Sequence, residues 1–169
     1  MLGFAPFVPV FAFLGFRDDQ LVYDSMLKSI KPIEKKYQVY TVGTGLDGGS
    51  EGEGFRVLSI TLERRGEKMK KEEARKLIVA VVDEFIVELN KDVKIKPYLK
   101  DFPLSYNNVE VTIVNYDDSG ADVYNPFIES MTADSGNICY GILELNSNKY
   151  ASREKETFEQ ASAIVKGVH

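Results

Sequence analysis

The residue types that most often carry chemistry are scarce in this chain. Among 169 positions there is one cysteine, Cys139, and one histidine, His169, which is the last residue. A structural zinc site takes about four Cys or His ligands and a catalytic zinc about three, so the chain on its own supplies neither. One thiol forms no intrachain disulfide. A hydrolase arrangement built on an imidazole base would need His169 to be held in place at a fraying terminus. Cys139 lies in Asn137-Ile138-Cys139-Tyr140-Gly141-Ile142, an apolar strand-like stretch where a free thiol is expected to be buried and to act as a small hydrophobe. A single Cys fits a reducing compartment and equally an exported protein without disulfides.

Other motifs meet plainer explanations. Gly43-Thr44-Gly45-Leu46-Asp47-Gly48 matches G-x-G-x-x-G and follows a strand-like run. In a dinucleotide fold those glycines open a helix whose N-terminus receives pyrophosphate. Here the text runs on through Gly49-Ser50-Glu51-Gly52-Glu53-Gly54 into another strand, and Asp47, Glu51 and Glu53 would repel phosphate. The segment is expected to be a mobile hairpin loop that closes over a ligand or pairs with a partner strand. Neither it nor Asp117-Asp118-Ser119-Gly120-Ala121-Asp122 has the ligand spacing of a calcium loop. Asp83, Glu84 and Glu110 are carboxylates that could work in pairs, yet nothing marks a pair, and the chain lacks Trp for sugar stacking. The basic run of Arg64, Arg65, Lys68, Lys70, Lys71, Arg75 and Lys76 is interleaved with Glu63, Glu67, Glu72 and Glu73, the pattern of a solvated helix start. Tyr98, Phe102, Pro103 and Tyr106 gather aromatics and prolines in one irregular connection, which either lines a groove or covers the open end of a sheet. These four, with Gly45 and Asp47, are the candidate ligand- or partner-binding residues. No catalytic residue, metal ligand or cofactor site is assigned.

Composition sets the frame for these residues. The length fits a single domain, and 44% hydrophobic residues suffice for a core without disulfide or metal. A formal charge of -5 weighs against a protein that wraps a phosphate backbone, so no nucleic-acid partner is expected. Residues 1–16 carry no charge and hold five of the ten phenylalanines: Phe4, Phe7, Phe11, Phe13 and Phe16. This run falls short of the ~20 residues that span a bilayer as a helix. No Lys or Arg precedes it, and no small-residue cleavage site or lipobox cysteine follows, so it matches a secretory signal only in part. It is expected to be an arm packed on the body or on a second subunit, an interfacial anchor, or part of an export segment. Residues 17–169 form the domain.

The elements follow from periodicity. Val22, Met26, Ile30 and Ile33 recur at helical spacing after an Asp18 or Asp19 cap, and Pro32 is expected to end or kink that helix near Ile30, leaving Glu34-Lys35-Lys36 as a turn. Residues 38–44 and 55–63 alternate as antiparallel strands. In the second, Leu58, Ile60 and Leu62 oppose Phe55, Val57, Ser59 and Thr61. Residues 70–90 form the central core helix. Strands are expected at 109–116, 128–133 and 138–145, the last two joined at Asp134-Ser135-Gly136-Asn137, and Ser152 is the expected cap of a final helix. The order α-β-β-α-β-β-β-α predicts an α+β fold, a mostly antiparallel sheet of about five strands with helices on one face.

The string Lys94 to Val114 (KIKPYLKDFPLSYNNVEVTIV), with the upstream EKKYQVYTVGTG, resembles a family of small uncharacterised proteins of obligate intracellular bacteria described as exported or lipoprotein-like. The similarity spans roughly residues 33 to 165 and its motifs are structural. It implies export or envelope association and carries no activity or catalytic residue to transfer. The expected function is that of a non-enzymatic binding or interaction module. Membrane contact would run through residues 1–16, and the expected partner is a protein or a second copy of the chain. The alternatives are a small-molecule carrier or small enzyme with a pocket between sheet and helices, and a cytoplasmic location.

Overall fold

The structure is a computed structural model that describes residues 15–48, 53–145 and 150–168. Its first helix, α1 (Gly15–Tyr37), buries Val22, Met26, Ile30 and Ile33, the stripe that the spacing predicts. It starts before Asp18 and runs through Pro32 to Tyr37, so Glu34, Lys35 and Lys36 are helical and form no turn. A proline at 32 removes one donor to the preceding turn. Burial of Ile33, packing of Tyr37 on the core, and the Glu34 carboxylate, which accepts the Thr41 N–H at 2.8 Å, hold the last turn beyond it. The expected boundary between residues 16 and 17 falls inside α1.

Strand β1 (Val39–Gly48) pairs antiparallel with β2 (Phe55–Arg65). The G-x-G-x-x-G segment is therefore strand, where a loop was expected. Gly43 stands opposite Thr61 and Gly45 opposite Ser59, and a Cβ on Gly45 would lie 2.5 Å from the Ser59 Oγ. Gly45 serves close strand packing, and a segment paired within a sheet offers no helix N-terminus to a phosphate.

Helix α2 (Lys71–Asn90) and a 3-10 helix (Val93–Tyr98) carry the chain across to β3 (Val109–Tyr116), which lies parallel to β2. Such a parallel step requires a crossover, which α2 provides while burying Ala74, Leu77, Ile78, Val81, Val82, Phe85 and Leu89. A meander of β4 (Ser130–Asp134), β5 (Asn137–Leu143) and β6 (Tyr150–Thr157) follows, and α3 (Phe158–Lys166) closes the chain. The β4–β5 turn places Ser135 and Gly136 at φ 48° and 75°, as a tight two-residue hairpin demands.

The sheet is mixed and six-stranded, in the order β1-β2-β3-β4-β5-β6. The fold is α+β with its helices on one face, as expected, but with six strands where five were predicted. The missed strand is β6. Ser152 lies within it, and the cap of α3 is Thr157, whose Oγ accepts the Gln160 N–H while the Gln160 side chain accepts the Thr157 N–H. Among the described residues, no helix is long and apolar enough to cross a membrane.

Candidate functional site

Alternation assigns each strand residue to one of two faces. Toward the helices point Leu58, Ile60, Leu62, Val111, Ile113, Met131, Ile138 and Tyr140, all buried. Among the described residues, the opposite face has no helix over it. Its central line, read across paired registers, is Gly43, Thr61, Thr112, Thr132, Cys139 and Lys155. The next line is Tyr40, Glu63, Val114, Ser130, Gly141 and Arg153. Threonines suit this position because their branched Cβ favours extended backbone while the hydroxyl remains available to a ligand or to a neighbouring strand. Thr112 and Thr132 share a hydrogen bond between their Oγ atoms at 3.0 Å.

Over β4, β5 and β6 this face forms a groove of about 250 Å³ lined by Ser130, Thr132, Cys139, Tyr140, Gly141 and Arg153. Cys139 thus corrects the expectation of a buried hydrophobe. It is partly exposed on the uncovered face, and its apolar neighbours Ile138 and Tyr140 point the other way. The alternation of Ile138, Tyr140 and Ile142 is the sequence signal that could have placed it.

Charge on β6 is sorted by the same alternation. Glu154 and Glu156 face α2, where Lys71 meets Glu154 at 2.5 Å and Arg75 holds Glu156 through Nε at 2.8 Å and Nη2 at 3.1 Å. The Tyr140 hydroxyl donates to Glu156 at 2.6 Å. Burial works to raise the Glu156 pKa, but the hydrogen bonds from Arg75 and Tyr140 outweigh it and hold the carboxyl below its ordinary value. Burial, then the bond to Glu156, pushes the Tyr140 phenol far up. These groups satisfy one another. Arg153 and Lys155, in register with Gly141 and Cys139, present positive charge on the uncovered face. At its other end Glu110, in register with Ser59, is raised first by burial and then by the charge of Asp134.

The sequence-chosen residues are dispersed. Tyr98, Phe102 and Tyr106 pack against the core, and the Tyr106 ring stacks on Phe158 at 5.1 Å while its hydroxyl donates to Glu159 at 2.7 Å. Pro103, beside them in sequence, is exposed. Gly45 belongs to the uncovered face, and Asp47 is exposed near the end of β1. Asp83 pairs with Lys166 at 3.2 Å, and Glu84 accepts from Tyr37 at 2.6 Å and from Lys36. Both lie on α2, in the layer opposite the face that bears Glu110, so no carboxylate pair forms among the three. Asp117 spends one oxygen on the N–H groups of Ser119 and Ala121 and the Ser119 hydroxyl. Phe4, Phe7, Phe11 and Phe13 lie outside the described residues, and Phe16 falls in the first turn of α1.

Compared with known proteins, the chain matches no family model, no curated protein and no solved structure.

Proposed function

We propose that the chain is a non-enzymatic binding module whose binding surface is the uncovered face of the sheet, held at a cell envelope by its apolar N-terminal residues. One observation carries the first part. Among the described residues, a six-stranded sheet has one face filled by three helices and the other without a helix, its centre rich in hydroxyls and glycines and holding a groove bordered by Arg153 and Lys155. On the helix side Arg75, Glu156 and Tyr140 pair with one another, whereas the hydroxyls of Ser59, Thr61 and Ser130 stand on the uncovered side. The envelope part rests on the uncharged run of residues 1–16 and on the resemblance noted above. Apolar surface of that size is stable against lipid, the protein's own body or another subunit.

A photo-crosslinking amino acid at Thr61 or Thr112, compared with one at Val87 on the outer side of α2, tests the surface in cells that make the chain. An adduct of one defined mass from the sheet positions and none from Val87 is expected. Equal adducts from both faces, or none from the sheet, would sink the proposal.

A second reading, as a carrier of small molecules, is favoured by the groove itself, whose volume of about 250 Å³ suits a ligand of a few heavy atoms.

A further inference from the structure

We propose that the groove over β4, β5 and β6 is a site for a small anion, a ligand presenting one carboxylate or phosphate group. This rests on the uncovered face being the binding surface and names the chemistry it takes. Ser130, Gly141 and Arg153 are cross-strand neighbours on one line, and Thr132, Cys139 and Lys155 on the next. Neighbours of this kind stand about 5 Å apart, so the two cations border the Gly141 and Cys139 positions directly. Gly141 lines the groove and has no side chain to fill it. The Ser130 hydroxyl and the Cys139 thiol can donate to an anion. Thr132 can do so too while accepting from Thr112, since either hydroxyl of that pair can be the donor.

The charges around the groove favour the same ligand. The carboxylates of β6 itself, Glu154 and Glu156, face α2 and are taken up by Lys71 and Arg75. Glu63 shares the Arg153 line but stands on β2, with three strands between them. Asp134 lies one line beyond Thr132, in register with Asn137, at the end of the face where Glu110 stands. Arg153 has an interaction of its own within the fold. A guanidinium retains further donors for a planar carboxylate or a phosphate, and Lys155 adds a point charge beside it.

Cys139 is the sole thiol of the chain, so it reports from inside the groove. The full-length protein is alkylated with iodoacetate and, separately, with neutral iodoacetamide; in both reactions the thiolate sulfur displaces iodide. The ratio of the two rates cancels the thiolate fraction and is referred to the same ratio in urea-unfolded chain. The folded protein is expected to favour iodoacetate by about five-fold or more over that reference, the effect of one unit charge at contact distance in water. The R153Q/K155Q double variant, checked for an unchanged melt, returns to the unfolded ratio, and R153K/K155R keeps the preference. Millimolar inorganic phosphate or acetate slows the iodoacetamide reaction, and the one acting at lower concentration identifies the head group. A folded ratio equal to the unfolded one, a preference that survives R153Q/K155Q, or protection by neither anion would overturn the inference. If sheet-face crosslinks persist alongside such a result, only the ligand class falls. If the charge preference holds while the crosslinks are absent, the macromolecular reading falls and the groove stands.

Discussion

Arg75 grips Glu156 in a two-point contact across 81 positions of sequence, Nε to Oε1 at 2.8 Å and Nη2 to Oε2 at 3.1 Å, with only 13% and 12% of the two side chains exposed. The contact ties the first turns of α2 to the last strand. Among the described residues β6 is an edge strand with β5 as its strand neighbour, and this helix contact is a second anchor for it.

Removing one partner should therefore cost more than a surface ion pair. Breaking a fully buried pair costs ~3–5 kcal/mol, and the residual exposure here brings Arg75→Met to ~2–3 kcal/mol. At ~2–4 °C per kcal/mol for a chain of this size, the melting midpoint should fall by about 5–10 °C. Adding Glu156→Gln to that background should recover part of the loss, since the orphaned charge is then gone. Urea melts of the four proteins measure this, and singles within about 0.5 kcal/mol of the parent would show the contact to be inert.

Two glycines should respond differently to alanine. Gly54 sits at φ 76°, and a Cβ there would stand 2.9 Å from the Leu99 carbonyl carbon and 3.0 Å from the Tyr98 oxygen, both backbone. Neither can move without parting the Phe55–Leu99 bridge, so Gly54→Ala should cost ~2 kcal/mol or more. At Gly45 the obstacle is one hydroxyl, the Ser59 Oγ. Gly45→Ala should cost ~1 kcal/mol alone and nearly nothing together with Ser59→Ala. A double variant no better than the single would move the cause elsewhere.

How far the fold could be read in advance follows from the range of each interaction. The α1 stripe, α2, the faces of β2, the bounds of β3 and the Asp134–Asn137 turn rest on residues close in sequence, and all were legible. Gly43–Gly48 looked like a loop because glycine weakens a strand unless a partner wants it small, and that partner, Ser59, enters only through pairing. β6 looked like a helix start because Tyr150–Thr157 is charge-rich. Its ladder partner is β5, and the side chains that take up Glu154 and Glu156, Lys71 and Arg75, lie 83 and 81 residues away. The groove was missed for a related reason. Cys139 reads as buried from its neighbours in sequence, Ile138 and Tyr140, whose side chains point to the other face.

Stability should rise at neutral pH when Glu110 is neutralised. Its folded pKa is raised, first by burial and then by Asp134, so the native state holds the proton more tightly than the unfolded chain. That preference is fully present below the unfolded carboxyl range and is lost as pH rises through the folded value, leaving a penalty at pH 7. Glu110→Gln should thus be more stable than the parent at pH 7, and the two should converge as pH falls below about 4, the ordinary carboxyl range. A pH series of melts checks this, and a constant offset at all pH values would show that the gain has another source. Glu156 has the opposite sign: its lowered pKa stabilises above the unfolded value and is lost as pH falls through the folded one.

The envelope reading makes its own demand on the N-terminal run. Changing Phe4, Phe7, Phe11 and Phe13 to serine leaves the chain length and every charge unchanged, and it removes only apolar area. Each buried phenyl side chain contributes about 2–3 kcal/mol on transfer from water, so four of them govern whether the chain partitions into lipid. The parent should float with neutral phosphatidylcholine vesicles, and the four-serine variant should stay at the bottom of the gradient with an unchanged melting midpoint. A variant that melts many degrees lower would mean that these rings pack on the protein's own body. Equal flotation of the two proteins would show that contact with lipid does not run through this segment.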